Sequence, residues 1–298
     1  MTEPSMPDHE YLTVRELADL LRLKERKVYD LAASGSVPCS RATGKLLFPA
    51  DEIRAWIERA KSGSGVAAPP SVARAPILLG SHDPLLDWAI RQSRCGLASY
   101  YDGSLDGLRR FTAGEGVAAG LHIHDPVSNN WNVPAVAAAA AGQNAVLVTF
   151  ALRQRGLVFR SGGAAPRSFS DLEGRSFVPR QPESGTEILF WELADKAGLA
   201  RDGLRLADVA RTEDEAVEAV RRGDAEATFG LEAAARAYGL EFLPLVEEEF
   251  SLLVERKAWF DAPMKRLMAF FAEETFARRA ASSGGYDIGH LGRVTWNA

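Results

Sequence analysis

The spacing of apolar positions changes twice along this chain, and the changes divide it into parts. Val14, Leu17, Ala18 and Leu21 recur at helical spacing and predict a helix with one apolar face. Thr13 followed by Glu16 is a capping box that starts it. A second helix follows, with Val28, Leu31 and Ala32 inward, and Glu25, Arg26, Lys27, Tyr29 and Asp30 outward; Gly35 ends it. From Val37 to Phe48 the pattern alternates and bends at Ala42-Thr43-Gly44, which predicts a two-stranded wing. Asp51 to Lys61 returns to helical spacing through Ile53, Trp56 and Ile57. Ser62 to Ala75 is rich in Gly, Ser, Ala and Pro; it cannot bury a core and reads as a linker.

Beyond the linker, short apolar runs alternate with helical ones. Ile77–Gly80, Leu97–Tyr101, Val117–Ile123, Ala145–Phe159, Phe177–Val178, Leu206–Ala210, Ala227–Phe229, Phe242–Leu245 and Phe250–Glu255 read as strands. Helices are expected between them, the last over Ala262–Ala281. Repeated βαβ units imply a mostly parallel sheet wrapped by helices, here as two consecutive sheets joined by one long strand outward and another back. The expected class is α/β: a small winged helix-turn-helix domain (1–61), then a two-lobed domain (76–298). Lobe 1 covers about 76–150 and 248–298, and lobe 2 about 151–247. Ligands of open α/β sheets sit at the carboxyl ends of the strands, so the cleft is the expected site.

Composition narrows the possibilities. A 298-residue chain that is 46% hydrophobic supports more than one core. Cys39 and Cys95 lie far apart with no metal-ligand spacing, which points to a reducing cytoplasm. The start, MTEPSMPDHEY, lacks the features of a secretory signal, and no apolar run approaches the roughly 20 residues of a membrane helix. The net charge of −5 excludes a general nucleic-acid coat. Between Tyr11 and Phe48, however, seven basic residues (Arg15, Arg22, Lys24, Arg26, Lys27, Arg41, Lys45) face four acidic ones (Glu16, Asp19, Glu25, Asp30). That modest surplus suits a site-specific DNA-reading module used in pairs. Arg15, Lys24, Arg26, Lys27, Tyr29, Arg41 and Lys45 are its candidate DNA contacts, Arg26 and Lys27 at the start of the recognition helix and Arg41 and Lys45 in the wing.

Two family resemblances follow from particular runs. "LTVRELADLL", "KVYDLAASGSVP" and "KLLFPADEIRAWI" resemble, in order and spacing, the excisionase and MerR-type winged helix-turn-helix family. Arg22 departs from that pattern, standing where the family has a glycine, and Lys24 stands where it has a Ser N-cap. "GSHDPLLDWAI", "DGSLDGLRRFTAGEGVAAGLHIHD", "RQRGLVFRSG", "VPRQPESGTEILF" and "LEFLPLVEEEFSLLV" resemble the periplasmic-binding-protein-like domain found fused to helix-turn-helix modules in molybdate-related regulators. This second resemblance implies a type II two-lobed fold and, as ligand, molybdate or tungstate.

The candidate ligand site is built from loops at predicted strand-to-helix junctions. Ser184 or Thr186 can cap a helix while Gly185 admits backbone N–H groups to an anion, and Arg180 precedes them. Ser81, His82 and Ser104 repeat the small hydroxyl-bearing pattern at two other junctions. His122 and His124 lie two apart on a predicted strand and so point the same way, with Asp125 next; His122 and Asp125 join the candidate set. No third histidine or cysteine stands nearby to complete a metal site, and no metal or cofactor is expected. Gly80-Ser81-His82-Asp83 spells triad letters, but adjacent residues cannot converge as a triad, so no catalytic residue is expected. Glu247-Glu248-Glu249 reads as a solvated turn.

The leading expectation is a cytoplasmic, one-component transcriptional regulator that binds double-stranded DNA as a homodimer and senses a small anion. The alternatives are a regulator sensing an organic acid, or a protein of molybdenum-cofactor metabolism that binds a pterin or nucleotide. A solute-binding protein for transport is a third class, disfavoured by the DNA module.

Overall fold

A computed structural model describes residues 10–40, 44–60 and 73–298. The chain forms two compact units, Met1–Ala73 and Arg74–Ala298. The first contains β1 (Tyr11–Leu12), α1 (Val14–Leu21), α2 (Glu25–Ala33), β2 (Phe48–Pro49) and α3 (Ala50–Ala60). The capping box forms: Thr13 Oγ1 accepts from the Glu16 N–H at 3.3 Å, and the Glu16 carboxylate accepts from the Thr13 N–H at 2.7 Å. Leu12, Leu17, Val28, Phe48 and Ile53 are its fully buried centre. Trp56 closes the module by donating its indole N–H to the Ser36 carbonyl at 2.8 Å. The wing is shorter than the alternation suggests. Ser40 and Leu47 exchange two backbone hydrogen bonds, but Phe48–Pro49 pairs instead with Tyr11–Leu12 ahead of α1. Ala42 and Thr43 of the predicted bend, and the stretch 61–72 that holds most of the predicted linker, lie outside the described residues.

Both family departures have structural consequences. Arg22 ends α1 in the left-handed region (φ 55°, ψ 39°), with the Leu23 N–H returning to the Ala18 carbonyl. An L-residue pays about 1–2 kcal/mol for that conformation, whereas glycine does not. Arg22→Gly is therefore expected to stabilise this unit by about 1 kcal/mol, seen as a later thermal transition of the full chain. Lys24, at the N-cap of α2, supplies no side-chain cap bond.

The second unit runs β3 (Ile77–Gly80), α4 (Pro84–Ser93), β4 (Ala98–Tyr101), α5 (Ser104–Thr112), β5 (Ala118–Leu121), the hairpin β6 (His124–Asp125) and β7 (Asn130–Trp131), α6 (Val133–Ala140) and β8 (Ala145–Phe159). It continues with β9 (Ser176–Val178), α7 (Gly185–Lys196), β10 (Arg205–Leu206), α8 (Glu213–Arg222), β11 (Ala227–Leu231), α9 (Glu232–Ala237), β12 (Glu241–Glu255), α10 (Ala262–Phe271), α11 (Glu274–Ser283), β13 (Tyr286–Asp287) and β14 (Val294–Asn297). The expected two sheets are one continuous sheet in the order β10-β9-β11-β8-β12-β5-β3-β4. The antiparallel pair β8 and β12 runs through its centre and is the only element shared by its two halves among the described residues. Parallel β3, β4 and β5 form one half, and β9, β10 and β11 the other. β13 and β14 cover the part of β8 that β11 does not reach.

Each half carries its own core. Phe150, Phe250, Phe271 and Phe276 pack with α4, α10 and α11 on one face of the first half, and Leu108, Phe111 and Val136 with α5 and α6 on the other. Phe177, Phe190 and Phe229 centre the second half, with Phe177 and Phe190 stacked at 4.4 Å. Three boundaries differ from the sequence reading. The last helix is two helices, α10 and α11, and the strand expected over Leu206–Ala210 keeps only Arg205–Leu206 plus a bridge between Arg180 and Ala210. The two strands expected around residues 242–255 are one, so Glu247-Glu248-Glu249 is strand and not turn. The acidic run continues pairing because Val246 to Glu249 stay in register with Arg155 to Leu152.

Candidate functional site

In the first unit, Arg15, Lys24, Arg26, Lys27, Tyr29 and Lys45 are all exposed. A surface groove of about 770 Å³ is lined by Arg15, Glu25, Tyr29, Gly44 and Lys45, so the start of α1, one face of α2 and the wing border a common space. Arg26 and Lys27 stand in the first turn of α2, away from the buried Val28 and Ala32. Arg41 lies outside the described residues.

In the second unit, the predicted loops do meet. Ser81 follows β3 and Ser104 opens α5; their hydroxyls are 2.7 Å apart, and Ser104 Oγ also accepts the His122 N–H at 3.0 Å. Ser184 is the N-cap of α7, accepting the Glu187 N–H at 3.0 Å. Gly185 packs against His122 so closely that a Cβ there would stand 2.4 Å from the His122 carbonyl oxygen. Thr186 donates to Glu213 at 3.2 Å, and Arg180 spans Glu213 and the carbonyls of Ala210 and Arg211. The first turns of α5 and α7 thus face each other across the halves of the sheet. Such first turns leave N–H groups without intrahelical partners and carry partial positive charge.

Asp125, a member of the predicted set, and its neighbour His124 stand elsewhere. Asp125 accepts from the Ser128 N–H and is held below the usual carboxylate range by the Ser128 hydroxyl and backbone, as the residue that closes a turn. His124 does not share a direction with His122, because β5 ends at Leu121 and the chain turns into the β6–β7 hairpin. His124 instead bonds Glu192 at 2.7 Å and packs on Trp131. His82 is buried edge-on to Tyr101, and its Nδ1 has no hydrogen-bond partner.

The centre of the site is formed by residues that sequence reading passed over. Arg153 and Arg155 share one face of β8, two residues apart, and both are fully buried. Arg153 bonds Asp83 at 2.8 Å and Glu248 at 2.5 Å; Arg155 bonds Glu213 at 3.0 Å. Arg155 Nε stands 2.9 Å from Glu248 Oε1, yet its N–H points past that oxygen and makes no hydrogen bond. Arg155 Nη1 and Arg153 Nε have no partner either. Glu248, fully buried, also meets His122 Nδ1 at 2.9 Å. Burial raises both glutamates, but Arg153 and Arg155 outweigh it at Glu248, holding it well below its usual range, and Arg155 and Arg180 bring Glu213 to about 2. Three arginine and three carboxylate side chains therefore meet in equal number. The one signal in the sequence was the pair of arginines at alternate positions in an otherwise apolar strand, where two charges on one face demand buried partners.

This fold and site define a two-lobed ligand-binding domain behind a helix-turn-helix module. The chain belongs to the family described as the PBP superfamily domain, whose pattern matches residues 88–272, and residues 11–61 match the family described as a helix-turn-helix domain. It is 23% identical to the uncharacterized protein YvgK of Bacillus subtilis (strain 168), over 95% of this chain and 96% of that one. Among solved structures it is similar to a putative phosphate ABC transporter substrate-binding protein with bound phosphate from Clostridium perfringens (12% identity, TM-score 0.52, 74% of this chain and 99% of that one). It is also similar to the sulfate-binding protein SubI from Mycobacterium tuberculosis H37Rv (15% identity, TM-score 0.51, 72% and 87%). At those identities the likeness concerns the fold. No helix among the described residues is long and apolar enough to cross a membrane.

Proposed function

We propose that this chain is a one-component, ligand-responsive transcriptional regulator that acts by binding and not by catalysis. The helix-turn-helix unit binds double-stranded DNA as a cytoplasmic homodimer, because one small module offers too few contacts for a specific site. The two-lobed unit senses a small anion between its halves. The observation that carries the anion reading is the pair of buried arginines, Arg153 and Arg155, which keep unpartnered N–H groups while Arg155 shares Glu213 with Thr186 in the first turn of α7. Movement of the halves about β8 and β12 on binding is the signal passed to the DNA module. Molybdate and tungstate come from the sequence resemblance and head the ligand panel; sulfate, phosphate and small carboxylates complete it.

The test has two parts. Purified protein should bind its own upstream DNA in a salt-sensitive, sequence-specific manner, and at least one anion of the panel should shift both its thermal transition and its DNA affinity. Arg26→Ala should cost about 1–3 kcal/mol of operator binding and relax sequence preference. Lys45→Ala should weaken all DNA sequences alike and flatten the salt dependence. DNA binding indifferent to every anion would sink the sensor reading, and normal operator binding by both variants would sink the placement of the DNA face.

A further inference from the structure

His122 stands where three elements meet. Its backbone N–H donates to Ser104 at the start of α5, its ring lies against Gly185 at the start of α7, and its Nδ1 is 2.9 Å from Glu248 on β12. Phe250 stacks on it at 6.0 Å, and the residue is 2% exposed. The charged groups that face it are Glu248 from β12 and Arg153 and Arg155 from β8; α5 and α7 add only the partial charges of their N-termini. Around it, Arg153, Arg155 and Arg180 already balance Asp83, Glu213 and Glu248.

That balance poses a physical problem for an incoming anion. The site offers hydrogen-bond donors, but no net positive charge, and an uncompensated charge in a desolvated cleft is expensive. Converting a neutral imidazole to imidazolium restores neutrality, and histidine is the side chain that makes this change near neutral pH. We propose that the cleft takes up its anion together with one proton, and that His122 holds it. The inference rests on the anion reading above and adds to it the form in which charge enters the site.

Burial holds the His122 imidazole below its ordinary value, against the pull of Glu248, and so favours its neutral form. A bound anion raises it by adding a second negative neighbour opposite Glu248. The sign follows from the two states. Affinity is greatest below the ligand-free pKa, falls about tenfold per pH unit between the ligand-free and ligand-bound values, and levels off above the bound value.

The experiment is isothermal titration of the full chain with sulfate and with molybdate at pH 7, in buffers of different ionisation enthalpy. Neither anion carries a titratable proton at that pH, so a buffer-dependent heat reports a proton taken by the protein. About one proton per anion is expected, with affinity falling roughly tenfold from pH 7 to 8. His122→Gln, checked for folding by circular dichroism, should bind more weakly and without uptake, whereas His124→Gln, whose side chain bonds Glu192 away from the site, should retain uptake. Binding without uptake in the wild type overturns the proton proposal and leaves the anion reading standing. Absence of binding by both anions overturns the proton proposal, while the anion reading then stands or falls on the phosphate and carboxylate arms of the panel. Uptake that survives in folded His122→Gln overturns the assignment to His122.

Discussion

Glu248→Gln is expected to destabilise the two-lobed unit by about 3–5 kcal/mol, the cost of removing one partner from a buried ion pair. The substituted side chain would preserve the shape but leave Arg153 and Arg155 facing a neutral amide. Each arginine would retain one carboxylate, Asp83 or Glu213, at 2.8 and 3.0 Å. The measurement is the denaturant midpoint at pH 7, and a loss below about 1 kcal/mol would mean that the cluster is solvated and not a buried network. Sulfate or molybdate should restore more stability to the variant than it adds to the wild type, since the anion then supplies the missing charge. The same cluster sets the acid limit of the wild type. Glu213 and Glu248 have folded-state pKa values below the unfolded value of about 4.3. Their contribution is present above that value and is lost as pH falls toward about 2, where Glu213 is protonated in the folded state.

Gly185→Ala is expected to weaken anion binding by ten-fold to a hundred-fold while leaving both halves of the sheet folded. A Cβ at this position would lie 2.4 Å from the His122 carbonyl oxygen and 3.0 Å from its ring, and backbone cannot swing aside as a flexible side chain can. Relief requires the start of α7 to move away from the other half, and overpacking of this kind costs about 1–3 kcal/mol. Because Gly185 is the first residue of a helix and its φ is not in the left-handed region, alanine adds no backbone strain of its own. Closure therefore carries the effect. Titration of the variant with the anion that binds wild type best, beside its thermal transition, separates the two contributions. An unchanged affinity would show that the halves need not approach this closely to hold the ligand.

Much of this architecture was legible from local pattern. The Thr13–Glu16 capping box, the Ser184 cap and the apolar stripes of α1 and α2 depend on neighbours three or four residues away. β8, Ala145 to Phe159, was legible because branched and apolar residues recur along it and Gly156 is its sole Gly or Pro. Hydroxyl-bearing junctions at Ser81, Ser104 and Ser184 were legible too, since strand ends that open helices favour such residues.

The chemistry at the centre was not. Glu247-Glu248-Glu249 offers three identical side chains, and only the pairing of β12 with β8 sends Glu248 inward to Arg153, Arg155 and His122 while Glu247 stays at the surface. Strand alternation places His122 and His124 on one face, but β5 ends one residue before His122. Asp125 satisfies a local turn, and a turn of four residues leaves no mark that separates it from a ligand-binding carboxylate. Sequence by itself determined the order of elements, the two-part organisation and the helix starts, since these follow from short-range periodicity and capping. Tertiary structure alone decided which charges are buried together, because that depends on pairing between residues far apart in sequence, 95 for Arg153 and Glu248 and 126 for His122 and Glu248, and such register has no local signature.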